Sequence, residues 1–246
     1  VEPSTDGSPA PGSATPERVR ALRPRDAATL ILVERSRRAP RVLMGRRNPN
    51  LVFMPGKFVF PGGRIEAVDR RMPVTGALSE RTEALLRTRV TRPAQGLGRT
   101  LALAAIRETF EETGLVVGTR EYGPPETAPA GAWRSFADHG AMPDLEALHL
   151  VARAITPPGR VRRYDTRFFA AERGAVAAEQ PGIVGEGAEL VELAWVRLDE
   201  ARRLDLPGIT RLILDELEEQ MAGGFAPFRP LPFHIMRHGR RERVLL

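Results

Sequence analysis

The sequence predicts an α+β fold: a single domain in which a mixed β-sheet carries helices on its faces. Short β-branched runs come in clusters and do not alternate steadily with helices, which disfavours a doubly wound parallel sheet. Helical periodicity is clearest at Thr100–Thr113, where Ala102, Ala105, Ile106, Thr109 and Phe110 fall on one face. No internal repeat is present, and 246 residues are ample for a real core.

Residues 1–24 are rich in Pro, Ser, Gly and Ala and read as a disordered lead-in, leaving 25–246 as the folded domain. Asp26–Val33 is a buried strand by its apolar run, and Arg41–Arg46 is its partner, with Arg38–Pro40 in the turn. Phe58–Phe60 is a third short run, stopped by Pro61, Gly62 and Gly63. Ser79–Val90 reads as a helix with Leu85 and Leu86 inward, and Pro93, Gly96 and Gly98 mark a loop after it. Gly114 stands where a cap glycine ends the Thr100–Thr113 helix, and Leu115–Val117 begins a strand. Tyr122–Pro143 is looser, with Trp133 and Phe136 packing a short helix. Strands follow at Leu148–Ile155, Thr166–Ala171 and Leu190–Val196, then a helix near Arg211–Met221 closed by Gly223 and Gly224.

Composition narrows the function classes. The net charge of +6 rests on arginine, Lys57 being the only lysine, and the arginines are spread along the chain. No nucleic-acid partner is expected from such a distribution. The absence of cysteine excludes disulfides, thiolate zinc sites and a Cys nucleophile. No apolar run approaches the ~18–20 residues of a membrane span, and the N-terminus lacks the order of a signal peptide. A soluble, cytoplasmic protein without a membrane partner is expected.

The chemistry concentrates in Arg107–Leu115. On a helix Glu108, Glu111 and Glu112 stand at i, i+3 and i+4, so three carboxylates share one face near the C-terminus, where the helix dipole disfavours anions. Like charges this close call for a positive partner. Mg²⁺ or Mn²⁺, which take oxygen ligands, would supply it. A solvated acidic face paired with Arg107 and Arg120 is the plainer reading of the same spacing. Gly62 and Gly63 favour a site, because glycine lets backbone approach a ligand or metal closely.

Together these residues resemble the Nudix hydrolase family. Its box has Gly, five residues, Glu, seven residues, Arg-Glu, an apolar residue, any residue, Glu-Glu, any residue, Gly and an apolar residue. The second half matches at Arg107–Leu115, with Thr109 in a usually apolar slot. The first half matches at Gly63, with Glu66 at an acidic position of the loop and Asp69 where the first Glu belongs. Between Asp69 and Arg107 lie 37 residues (70–106), so an insert at about 70–99 splits the box. The runs Asn50–Gly63 and Arg162–Phe169 are similar to a subgroup with such an insert, which includes coenzyme A diphosphatases of animal peroxisomes. The C-terminal Arg243–Leu246 is no Ser-Lys-Leu signal.

The resemblance implies a Nudix α/β/α sandwich and Mg²⁺- or Mn²⁺-dependent hydrolysis of a nucleoside diphosphate linked to another moiety, foremost coenzyme A or acyl-CoA. ADP-ribose, NADH or another nucleotide is an alternative substrate, and a ligand sensor without turnover is an alternative of another class. It further implies Glu108, Glu111 and Glu112 as metal ligands, a backbone ligand from Gly62 or Gly63, and Arg107 as the residue that orients a neighbouring glutamate. The general base is a box glutamate or a Glu from a later loop, with Glu186 and Glu189 as candidates. Arg46, Arg47, Arg162 and Arg163 are candidate phosphate-binding cations, and a homodimer is possible from relatives. Two other motifs carry little. Lys57 sits in no phosphate loop, since Phe58 replaces the needed Ser/Thr. His234 and His238 lack the intervening Glu of a zinc-protease helix.

Overall fold

The computed structural model describes residues 22–35, 39–226 and 228–246. The expected lead-in falls largely outside the described residues, as does Arg38 of the first turn.

The central sheet forms around β1 (Arg25–Glu34), whose apolar run is long enough to be flanked on both sides. On one side β7 (Tyr164–Glu172) runs parallel to it over nine registered pairs. On the other side lie antiparallel β2 (Arg41–Arg47) and β4 (Gly62–Arg64), β2 then pairing with the short β3 (Phe58–Val59) and with β9 (Leu190–Arg197). Beyond β7 come β6 (His149–Ile155) and the hairpin β10 (Pro232–Arg237) and β11 (Arg240–Leu245), so the order is β11-β10-β6-β7-β1-β2-β3. Parallel β1–β7 and β6–β10 pairs among antiparallel ones make the sheet mixed. A separate ribbon pairs β5 (Leu115–Val117) with β8 (Val176–Glu179).

Strand periodicity sorts the side chains into two cores. Ala28, Leu30 and Leu32 of β1, Leu43 of β2, and Phe169 and Ala171 of β7 face one layer. That layer comprises α1 (Glu80–Arg87), α2 (Leu97–Thr113) and α3 (Ala132–Ala137). The alternate residues Ile31, Val33, Val42, Met44, Phe168 and Ala170 face the other layer, formed by α4 (Leu198–Ala201) and α5 (Gly208–Ala222). The result is the expected α/β/α sandwich.

Several boundaries differ from the sequence reading. Helix α2 begins at Leu97, so Gly98 is helical and not part of a loop. Its lack of a side chain serves packing: a Cβ there would overlap the Glu83 carboxylate of α1. Helix α1 is capped at its N-terminus by Ser79, whose side chain accepts from the Thr82 N–H at 3.1 Å. Gly62 and Gly63 do not simply end a strand. They form β4, paired with Thr29 and Ala28. The sequence reading missed β8, α4 and the C-terminal hairpin. Pro232 is tolerated because it is the first residue of its strand, and His238–Gly239 is a two-residue turn with both φ positive. His234 and His238 therefore lie in a strand and a turn, not on a helix. Among the described residues no helix is long and apolar enough to cross a membrane.

Candidate active site

The site is built where β4 lies against the last turns of α2. A Cβ on Gly63 would overlap the Glu108 carboxylate, and one on Gly62 would overlap Thr29 and the Ala28 carbonyl. Only glycine lets strand, helix and carboxylate approach this closely. The Gly62 N–H donates to Glu112 Oε2 at 3.2 Å, which fixes the second carboxylate beside the first.

Arg107 is almost wholly buried at 3% exposure, and each of its five N–H groups has an acceptor. Nε donates to Asp69 Oδ1 at 2.7 Å, and Nη2 to Asp69 Oδ2 at 3.3 Å and to the Arg64 carbonyl at 2.9 Å. Nη1 donates to Glu108 Oε1 at 3.0 Å and to Glu111 Oε2 at 2.5 Å. The surrounding carboxylates raise its pKa despite the opposing effect of burial.

Asp69 begins a single 3₁₀ turn (Asp69–Arg71) and is fully buried, accepting also from the Glu66 N–H at 2.7 Å and from Trp133 Nε1 at 3.1 Å. Trp133 and Phe136 are core residues, as expected, while Trp195 is half-buried and lies beneath the Arg173 guanidinium.

Burial raises the Glu108 pKa to about 7, with Glu111 and Glu189 adding repulsion and Arg107 opposing it. Glu112 is pushed well above the ordinary carboxylate range by burial first, then by Glu189 and Glu108. These carboxylates share a confined space in which full ionisation is unfavourable. Their oxygens are the donor chemistry of a hard divalent cation, and the close Gly63–Glu108 approach would be needless for a solvated acidic face. Among the described residues no three acidic or histidine side chains already stand as a coordination shell, Arg107 holding Glu108 and Glu111.

The remaining candidates separate. Pairing of β2 with β9 carries Glu189 to Arg47, whose Nη1 donates to Glu189 Oε1 at 2.8 Å while Nε donates to the Phe53 carbonyl at 2.9 Å. Both therefore join the Glu112 neighbourhood. Glu186 lies one turn earlier in the same loop and contributes its carbonyl, not its carboxylate, to a bond from Asn48 Nδ2 at 2.8 Å. Arg46 pairs across the strands with Glu192 at 2.8 Å. Arg163 is committed to the Thr156 and Leu22 carbonyls, and Arg162 is exposed before β7. Neither makes a contact with the glutamates among the described residues.

Two residues that hold the site escaped the sequence reading. Asn48 is buried and ties the 186–189 loop to the end of β2, its Nδ2 also reaching the Ala188 carbonyl at 3.0 Å. The Asn48-Pro49-Asn50 turn cluster was its only trace in the sequence. Trp133 carried no signal beyond its size.

Comparison with known proteins places the whole chain. Human acyl-coenzyme A diphosphatase NUDT19 is 27% identical over 215 residues, covering 65% of this chain and 54% of that protein. Its Gallus gallus counterpart is 28% identical over 236 residues, covering 72% and 62%. The chain thus spans somewhat over half the length of these curated relatives. Among solved structures, a Nudix hydrolase from Alicyclobacillus acidocaldarius is similar with a TM-score of 0.58 at 25% identity, covering 81% of this chain and 96% of that one. Residues 23–217, from the start of β1 into α5, match the NUDIX domain, and the chain belongs to the Nudix family.

Proposed function

We propose that the protein is a Nudix pyrophosphohydrolase that cleaves the diphosphate of coenzyme A or an acyl-CoA. The observation that carries this reading is the carboxylate set around Gly62 and Gly63, oriented by one saturated arginine. Similarity to two acyl-coenzyme A diphosphatases supports the choice of substrate.

Glu108, Glu111 and Glu112, with the carbonyl of Gly62 or Gly63, would hold Mg²⁺ or Mn²⁺. When bound, such an ion offsets the diphosphate charge and makes the attacking water more acidic. Arg107 keeps Glu108 and Glu111 aimed into the site without reaching substrate, because all its donors are used within the protein. Glu189, beside Glu112 and held by Arg47, is better placed than Glu186 to accept the water proton. The water oxygen bonds to phosphorus, the bridging P–O bond breaks, and two phosphomonoesters leave. Of the candidate cations, Arg47 is the one beside Glu112 and Glu189, and Arg46 adjoins it at the end of β2. The position of Arg163 argues for a role in the fold instead.

Incubating the purified chain with coenzyme A, acyl-CoA thioesters, ADP-ribose and NADH tests this reading. Mg²⁺ or Mn²⁺ should support release of 3′,5′-ADP and a 4′-phosphopantetheine, and chelation should abolish it. Preference for ADP-ribose or NADH would change the substrate. No turnover of any member would remove the enzyme reading and favour a ligand sensor.

A further inference from the structure

We propose that Trp133 is a positioning residue for the hydrolytic site, acting through Asp69 and Arg107 on Glu108 and Glu111. The inference rests on the hydrolase reading above and adds a residue that lies outside the box.

Asp69 has four acceptor directions, and all four are filled: Arg107 Nε and Trp133 Nε1 on Oδ1, the Glu66 N–H and Arg107 Nη2 on Oδ2. Removing the indole donor leaves Oδ1 of a fully buried carboxylate short of a partner and frees it to turn. Since Arg107 takes its orientation from Asp69 and the Arg64 carbonyl, any such rotation passes directly to Glu108 and Glu111.

Trp133 is well suited to act as a fixed post. It is 1% exposed, and its ring meets Phe136 edge-on at 5.5 Å. Phe136 in turn meets Phe110 of α2 edge-on at 5.6 Å. The indole is therefore anchored to the same helix whose glutamates it helps to aim. Asp69 is one methylene shorter than the Glu that the family box has at this position. Oδ1 reaches both the guanidinium and the indole, so the indole occupies space that a longer acid would need.

The test uses the full chain with coenzyme A and saturating Mg²⁺. Trp133→Phe keeps the ring and loses the N–H, and kcat should fall about ten- to a hundredfold, as when an outer support of a metal site is removed. KM should stay within about twofold, because the lost interaction orients catalytic groups and does not bind substrate. Asp69→Glu should lower kcat in the native chain and raise it in the Trp133→Phe background, where the longer acid has room. Glu216→Gln, which destabilises the chain far from the site, should leave kcat unchanged.

A second readout needs no turnover. With two tryptophans in the sequence, the indole N–H spectrum has two signals. The one that vanishes in Trp133→Phe should exchange slowly and should shift in Asp69→Asn. Native kcat in a folded Trp133→Phe variant, or an indole signal indifferent to Asp69→Asn, would overturn the inference. Absence of turnover of every substrate of the panel by the native chain would instead overturn the hydrolase reading.

Discussion

At the scale of single residues, the site depends on complete satisfaction of buried polar groups. Arg107 spends every donor inside the protein, which makes it a rigid bracket and removes it from the list of substrate contacts. Glycine at 63 is the complementary requirement, because it gives the Glu108 carboxylate its place. Gly63→Ala would push the Glu108 carboxylate out of the place it holds beside β4. We expect the fold to lose only about 1 kcal/mol, the low end of overpacking, because just the end of a side chain must shift. Turnover should fall further than that loss explains, measured as kcat on the folded fraction beside a urea titration. The box residues were legible because their spacing on a helix is a physical pattern. Trp133 and Asn48 were not, because each acts across the chain through one side-chain nitrogen, a contact that leaves no periodicity.

At the scale of elements, β1, β2, β6, β7 and β9 were readable from their apolar runs, and the two cores that flank β1, β2 and β7 on opposite faces explain why those runs are continuous. The misread boundaries have a common cause. Gly98 and Pro232 carry the marks of loops, yet one sits in α2 facing Glu83 and the other opens β10. Each carries a local breaker signal that its place in the fold tolerates, beside Glu83 for Gly98 and at the first strand position for Pro232. The hairpin of β10 and β11 is tied to α5 by buried Glu216, which accepts from His234 Nε2 at 2.8 Å and from Arg243 Nε and Nη2, each at 2.7 Å. Burial alone would raise the pKa of this carboxyl, but Arg243 and His234 outweigh it and hold the group at about 2. Its folded pKa thus lies below the ordinary value near 4.5, so the stability it contributes is present above about pH 4.5 and is lost as pH falls towards 2. Glu216→Gln should cost about 1–3 kcal/mol at neutral pH, the range for hydrogen bonds to a charged group. Denaturation curves from pH 7 to 2 should show native and variant converging at the acid end. A constant gap across that range would refute the assignment.

At the scale of the whole molecule, the sandwich brings to one place residues far apart in the chain: Gly62 and Gly63 from β4, the glutamates of α2, Arg47 from β2 and Glu189 just before β9. The stretch between Asp69 and Leu97 does not separate the two halves of the box in space. Its helix α1 packs on α2, while Asp69 remains bonded to Arg107 beneath it. The sequence pattern exposed the two halves of the box but not the side-chain chain that joins them, because that joining is a property of the folded core. Not every arginine is a surface cation: Arg153 and Arg167 are buried and paired with Asp165 and Asp26. The central claim is that the buried carboxylates beside Gly62 and Gly63 perform the hydrolysis, and Glu112→Gln tests it most directly. With coenzyme A and Mg²⁺, kcat should fall by at least about a thousandfold, as expected for loss of a group that acts in the transition state, while the circular dichroism spectrum is unchanged. Turnover within about tenfold of the native rate by a folded Glu112→Gln chain would contradict it.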